Sequence, residues 1–306
     1  MLPLRQIIRP TTFVRSSKLN DYLDLDLTIA SETFQHTGSF KFRAAYNVAL
    51  NVPNEELIGV SSGNFGQALA YSARLLGKKC TVIMPRNSAQ VKVDAVRSYG
   101  AEADLIDVNV VSRTERLAQL ANERPDAYLA SAFDDELVIE GNSTLGDELC
   151  EHDFDAVIIP VGGGGLISGT VRSFCRNGKL TEVFGAEPLM ANDAAQSLRA
   201  GELIANESEP QTIADGTRTL SLGKLTWPVI KDGVRDIIEV PEDKIIEATR
   251  LYFSLANLKC EPTGALSLGA MLVDKARFAD KKICLVVSGG NVDPAIYARL
   301  LSVTPA

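Results

Sequence analysis

The run Ala156-Val157-Ile158-Ile159-Pro160-Val161 is apolar throughout and stops at four consecutive glycines, Gly162, Gly163, Gly164 and Gly165. A second apolar stretch, Leu166-Ile167-Ser168-Gly169-Thr170-Val171, follows at once and reads as a helix start. Strand, bare turn and helix in that order constrain the chain strongly. Adjacent glycines are entropically expensive, so a plain flexible turn explains them poorly. A glycine loop presents backbone N–H groups with no side chain in the way, and the helix adds the positive end of its dipole. Together they form a nest for an anion, most often a phosphate. The loop lacks the Gly-Lys-Ser/Thr of a nucleotide P-loop, and it lacks the glycine spacing and ribose-binding acid of a dinucleotide fold.

The rest of the chain repeats the strand–helix rhythm. Strand-like runs occur at 57–60, 80–84, 102–108, 156–161, 183–186 and 283–287, with helical patterns at 66–76, 89–99, 112–123, 168–177 and 241–258. Such alternation predicts an α/β protein with parallel sheets covered on both faces. Three units between 57 and 132 are enough for a compact small domain. The expected division is a small domain over 55–132 and a larger, discontinuous domain from 1–54 and 133–306. The stretch 200–219 is polar and rich in turn residues, and it reads as a long loop with functional content.

Bulk chemistry excludes several classes. A net charge of −8 argues against nucleic-acid or anionic-membrane partners. No apolar run approaches the ~18 residues of a membrane span, and the N-terminus does not read as a signal peptide. Five scattered cysteines, Cys80, Cys150, Cys175, Cys260 and Cys284, read as reduced core residues of a cytoplasmic protein. With only His36 and His152 present, a multi-histidine zinc site or a Ser-His-Asp hydrolase is disfavoured.

Ligands of parallel sheets bind at the carboxyl ends of strands. Besides the four glycines, Ser61-Ser62-Gly63-Asn64 follows the strand at 57–60, and Ser288-Gly289-Gly290-Asn291 follows that at 283–287. Each alone is an ordinary turn; together they point to one shared site between two domains. In Thr37-Gly38-Ser39-Phe40-Lys41-Phe42-Arg43, Lys41 stands between two phenylalanines. A lysine is ordinarily a solvated surface residue. Desolvation by flanking aromatics would lower its pKa and favour an imine with an aldehyde. A reactive amine plus a phosphate nest is the minimum equipment for pyridoxal 5'-phosphate (PLP).

Five motifs then fall into a familiar order: Ser39-Phe40-Lys41-Phe42-Arg43, Ser61-Ser62-Gly63-Asn64, Pro160-Val161-Gly162-Gly163-Gly164-Gly165, Ile213-Ala214-Asp215-Gly216 and Ser288-Gly289-Gly290-Asn291-Val292-Asp293. The chain resembles the serine racemase and serine/threonine dehydratase family of fold-type II PLP enzymes over nearly its whole length. The resemblance implies two domains, each a mostly parallel twisted sheet flanked by helices. It implies Lys41 as covalent anchor of the cofactor and carrier of the Cα proton. Phe40 and Gly216 would border the ring, Asn64 would bond its phenolic oxygen, Gly162 to Gly165 would hold the phosphate, and Ser288 would face the ring nitrogen. A neutral hydroxyl there does not enforce a protonated ring, which favours rapid loss of a β-hydroxyl. Ser62 would be the acid/base opposite the lysine, as racemisation requires, or would bind the substrate carboxylate with Ser61, Gly63 and Asn64. Phe65 stands where a histidine is common in the family. The regulatory domain of biosynthetic threonine deaminases is expected to be absent.

The expected reaction is dehydration and deamination of a β-hydroxy amino acid to a 2-keto acid and ammonia. Serine and threonine rank first as substrates and 3-hydroxyaspartate next. Racemisation of serine or aspartate is the alternative, and a silent amino-acid-binding protein of the same fold the non-enzymatic one. Arg218, after Gly216, is a candidate for a second substrate carboxylate, though a surface arginine is as common. By resemblance, Arg113 is a substrate-side arginine. The family pattern also implies an Mg²⁺ or Ca²⁺ site from Glu187, the carbonyl of Ala191 and Asp193, oxygen ligands that suit either ion. A homodimer is expected, and Ser16-Ser17-Lys18-Leu19-Asn20 resembles the segment near a nucleotide effector pocket between subunits.

Overall fold

The computed structural model describes residues 2–61, 63–88 and 90–302. Among these, ten strands form two sheets. The larger contains β1 (Thr12–Val14), β2 (Asp26–Ser31), β7 (Ala156–Pro160), β8 (Glu182–Pro188), β9 (Asp236–Val240) and β10 (Lys282–Val287) in the order β1-β2-β10-β7-β8-β9. Only β1 runs antiparallel to its neighbour. The smaller sheet contains β3 (Glu56–Val60), β4 (Lys79–Pro85), β5 (Glu102–Ile106) and β6 (Tyr128–Ala130) in the order β5-β4-β3-β6, parallel throughout.

The apolar run before the four glycines is β7, buried at every position. Its side chains alternate between two cores. Ile158 packs with Leu285 and with Leu266 and Met271 of helix Pro262–Val273. Val157 and Ile159 point the other way, to Leu145, Ile167 and Val171 on helices Glu136–Leu149 and Gly165–Arg176. A strand buried on both faces needs no polar alternation, which is why this run reads as continuous. Helix Lys41–Asn51 lies apart from the large sheet. Its Phe42, Ala45 and Val48 share a core with Leu57, Phe65 and Leu69 of the smaller unit, so Lys41 stands at the junction of the two sheets.

The expected strands and helices are present with shifted ends. The strand expected over 102–108 stops at Ile106, and the helix expected from 168 begins at Gly165. One expectation changes. Cys80, Cys260 and Cys284 are buried, but Cys150 is only half-buried and Cys175 is exposed, so the cysteines are not uniformly core residues. The last helix turn that carries Cys175 leaves it facing solvent, and its apolar sequence neighbours do not bury it. Among the described residues no helix is long and apolar enough to cross a membrane.

Candidate active site

A cleft of about 660 Å³ lies at the carboxyl ends of β3, β7 and β10. That volume suits a cofactor-sized ligand. Adjacent parallel strands β7 and β10 end side by side, which brings the glycine loop and Ser288 to the same rim.

The loop is built to approach something closely. Gly164 caps the helix with φ +87°, a left-handed conformation that favours glycine. A Cβ on Gly163 would sit 2.2 Å from the Phe133 ring. The Gly163 carbonyl accepts from Thr226 Oγ1 at 2.8 Å and from the Gly223 N–H at 3.2 Å. Gly162, Gly163 and Gly164 donate no N–H to an acceptor among the described residues. Unspent donors at a helix N-terminus are what an anion requires.

Lys41 stands opposite. Its Nζ donates to the Ala132 carbonyl at 2.7 Å, one residue before the Phe133 that underlies the glycine loop. Burial pulls the ammonium down to about 8, against a smaller upward pull from Glu261. Of its two sequence neighbours, Phe40 but not Phe42 lies beside the amine. Nζ lies 5.0 Å from the Phe40 ring and 5.8 Å from the Phe65 ring. Phe42 points away, into a cluster with His36, Tyr46 and Tyr71, because the helix rotates it about a hundred degrees from Lys41.

The other expected residues distribute as follows. Ser288 Oγ is buried and has no protein partner among the described residues. Gly216 donates its N–H to Thr263 Oγ1 at 3.0 Å, and its carbonyl would lie 3.2 Å from a Cβ on Gly162. Ser61, Gly63 and Asn64 line the same cleft, where Ser61 Oγ accepts the Gly63 N–H at 3.2 Å. Ser62 lies outside the described residues. Arg113 and Arg218 line the cleft mouth. Arg113 pairs with Glu209 at 3.4 Å. Arg218 spends Nε and Nη2 on the Thr212 carbonyl and has no carboxylate partner among the described residues.

Glu187, Ala191 and Asp193 gather elsewhere, at the carboxyl end of β8. Glu187 is buried and accepts the N–H groups of Ala195 (2.6 Å) and Ala194 (3.3 Å). Asp193 Oδ1 accepts from Asn206 at 2.7 Å, while Oδ2 is buried without a partner among the described residues. Burial, then the repulsion from Asp193, raises Glu187 well above the carboxylate range; burial raises Asp193 to about 7. No cluster of three acidic, histidine or cysteine ligands occurs among the described residues, so any cation here would lean on carbonyls and water. Ser16 caps helix Ser17–Leu23 and donates to the Leu255 carbonyl, away from the residues that line the cleft.

Three cleft residues escape the sequence reading. Lys92 reaches from helix Gln90–Ser98 to Asp215 at 2.6 Å, pairing the small unit with the Gly216 loop. Phe133 forms the floor under the glycines. Glu261 lies buried beside Asn64, 2.7 Å from its Nδ2. The available signal for Glu261 is an acid directly before a proline at a helix start, Glu261-Pro262-Thr263-Gly264.

A buried amine of lowered pKa, an orphaned hydroxyl and unspent N–H donors in one cleft fit a phosphorylated aromatic aldehyde. Comparison with known proteins agrees. The chain is 36% identical to a serine racemase of Schizosaccharomyces pombe over 98% of its length and 94% of that protein. It is 35% identical to an L-threo-3-hydroxyaspartate ammonia-lyase of Saccharomyces cerevisiae, covering 98% and 93%. Among solved structures it superposes on a threonine deaminase of T.th. with TM-score 0.87 and 39% identity over 95% of each chain. On maize serine racemase the TM-score is 0.90, with 32% identity over 97% and 92%. The profile of the family described as "Pyridoxal-phosphate dependent enzyme" matches residues 4–289, and the chain belongs to that family.

Proposed function

We propose that the protein is a PLP-dependent ammonia-lyase that converts a β-hydroxy amino acid to a 2-keto acid and ammonia. The observation that carries the reading is the convergence of Lys41 Nζ, the orphaned Ser288 Oγ and the N–H groups of the glycine loop on one cleft. When bound, PLP supplies an aldehyde for the substrate amine and a ring that accepts the electron pair left at Cα.

The chain's own residues supply position and proton transfer. Gly162, Gly163, Gly164 and Gly165 bind the phosphate through N–H groups and the helix dipole. Phe40 and Gly216 would border the ring, Asn64 would hold its phenolic oxygen, and Ser288 would meet the ring nitrogen as a neutral partner. Ser61, Gly63 and Asn64 orient the substrate carboxylate, with Ser62 as candidate acid/base on the far face. Lys41 takes the Cα proton; an amine near 8 is about one-tenth neutral at pH 7, a fraction some hundredfold larger than that of an ordinary lysine, and so able to do this. The β-hydroxyl would then leave as water with the proton that Lys41 has taken, and the enamine product would tautomerise to an imine that water hydrolyses to the 2-keto acid and ammonia.

A racemase is the second reading, favoured by the similarity to serine racemases. Both activities share the first proton abstraction. The direct test is keto-acid release from L-serine, L-threonine and 3-hydroxyaspartate, with chiral analysis of recovered serine. A visible band of bound cofactor that disappears in Lys41→Ala accompanies the expected outcome. No keto acid from any of the three, with unchanged chirality, would overturn the enzymatic reading.

Two finer features belong to this reading. Glu187, Asp193 and the Ala191 carbonyl form a candidate Mg²⁺ or Ca²⁺ site. A homodimer is supported by the exposed apolar Tyr22, Phe253 and Ile296 on three neighbouring helices.

A further inference from the structure

Glu261 is 3% exposed, opens helix Pro262–Val273, and does not cap it. A carboxylate at a helix start ordinarily turns toward the free N–H groups there. Glu261 turns instead into the cleft, where Oε1 accepts from Asn64 Nδ2 at 2.7 Å.

The hydrogen bonds that converge on Asn64 have a fixed direction. The Thr37 carbonyl only accepts, so the atom 2.7 Å from it must be the amide nitrogen of Asn291. The same nitrogen lies 2.8 Å from Asn64 Oδ1, which fixes the oxygen of Asn64 on that side. The amide nitrogen of Asn64 must then face Glu261. Two glycines make room for the chain of bonds. A Cβ on Gly289 would sit 2.6 Å from Glu261 Oε1, and one on Gly38, which has φ +74°, would sit 2.5 Å from Asn291 Oδ1.

We propose that Glu261 is a positioning residue: as the terminal acceptor of the series Thr37–Asn291–Asn64–Glu261, it locks the Asn64 carboxamide so that its second N–H is presented to the cofactor. This rests on the reading that the cleft holds PLP. An Asn amide has two N–H groups, and Glu261 engages one. Without an acceptor there, the amide rotates to find another partner, and the remaining donor is no longer held in place.

The test is PLP titration of the purified apoprotein, followed by the absorption maximum of the bound cofactor. Glu261→Met keeps the volume but removes the acceptor; Glu261→Gln keeps an acceptor oxygen. Glu261→Met is expected to weaken PLP binding about tenfold, the effect of one lost buried hydrogen bond, and to move the maximum. Glu261→Gln should restore both to within about twofold. In an Asn64→Ala background, Glu261→Met should add nothing. Asn291→Leu, which breaks the series from its other end, should reproduce the loss and serves if Glu261→Met melts below assay temperature. Wild-type affinity in Glu261→Met or Asn291→Leu overturns the proposal. So does a loss in Glu261→Gln equal to that in Glu261→Met, or an undiminished Glu261→Met effect without Asn64. If the wild-type chain itself fails to bind PLP, the proposed function falls first.

Discussion

At the scale of single residues, burial does most of the chemistry. Lys41 is half-buried in the cleft wall, where desolvation holds its folded pKa at about 8, below the ordinary 10.5. Below pH 8 the folded apoprotein holds an unfavourable buried charge; between 8 and 10.5 only the unfolded chain binds the proton, so stability rises with pH there. Lys41→Met should therefore stabilise the apoprotein at pH 7, by up to ~3 kcal/mol, with the advantage shrinking as pH rises through 8 toward 10.5. Chemical denaturation at about pH 7 and about pH 9.5, on either side of the folded pKa, checks this; a variant less stable at the lower pH would show that the Ala132 hydrogen bond outweighs the burial. Arg218 offers a contrasting case. It is the cleft-mouth arginine without a carboxylate partner among the described residues, whereas Arg113 already faces Glu209. Arg218→Ala should lower kcat/KM for 3-hydroxyaspartate by about 10–100-fold, the loss of one hydrogen bond to a charged group, and leave L-serine within about twofold. Equal losses for both substrates would remove Arg218 from specificity. The importance of Lys41 is legible from its aromatic neighbours, but one partner is not. Sequence adjacency suggests Phe42, and tertiary packing supplies Phe65 from another helix.

At the scale of elements, the strand–glycine–helix unit is readable because each part has its own local signature: a buried strand, a costly glycine run, and a helix start. Gly163→Ala tests what the glycines are for. The new methyl would meet the Phe133 ring at 2.2 Å, so the loop or Phe133 must shift. Overpacking of this kind costs about 1–3 kcal/mol, and the displaced N–H groups should weaken PLP and inorganic phosphate binding together. Unchanged phosphate affinity, measured calorimetrically, would show that the loop does not hold the phosphate. Other elements are not legible, for identifiable reasons. Helix Pro262–Val273 is buried over Pro262 to Met271 and includes Gly264, Ser267 and Gly269, so it shows no amphipathic period. Helix Glu136–Leu149 buries Gly141, Asn142, Ser143, Thr144 and Gly146 between two helices, where small polar residues replace the expected apolar stripe. In the sequence Arg43 is only the last residue of the motif Ser39-Phe40-Lys41-Phe42-Arg43, with no role of its own. It is buried and joins Glu32 (2.7 Å), Glu148 (2.7 Å) and Thr11 (2.9 Å), tying the helix that begins at Lys41 to the end of β2 and to helix Glu136–Leu149.

At the scale of the molecule, two mostly parallel sheets meet at the carboxyl ends of their strands, and the alternation of strands and helices announces that much. The long-range pairings are beyond a local reading: β2 next to β10, and Asn64 facing Asn291 and Glu261 across 227 and 197 residues. The same limit applies to the acidic pair at β8. Glu187 and Asp193 are close in sequence, as ordinary surface acids often are; their burial, with Asp193 Oδ2 unpartnered among the described residues, is a tertiary fact. Two buried acids with one orphaned oxygen are unstable unless protonated or paired with a cation. A cation that binds only the folded chain stabilises it by about 2.7 kcal/mol at a hundred times its dissociation constant, which is several degrees in Tm for a chain of this size. Mg²⁺ or Ca²⁺ should therefore raise the Tm of the EDTA-treated holoenzyme, with Na⁺ at equal ionic strength as control. Asp193→Asn should abolish that response. It should also raise the Tm measured in EDTA, because a neutral amide replaces an unpaired buried carboxylate while its oxygen still accepts from Asn206. A wild-type Tm indifferent to both ions and to EDTA would remove the cation, and Glu187 and Asp193 would then stand as a protonated pair within the core.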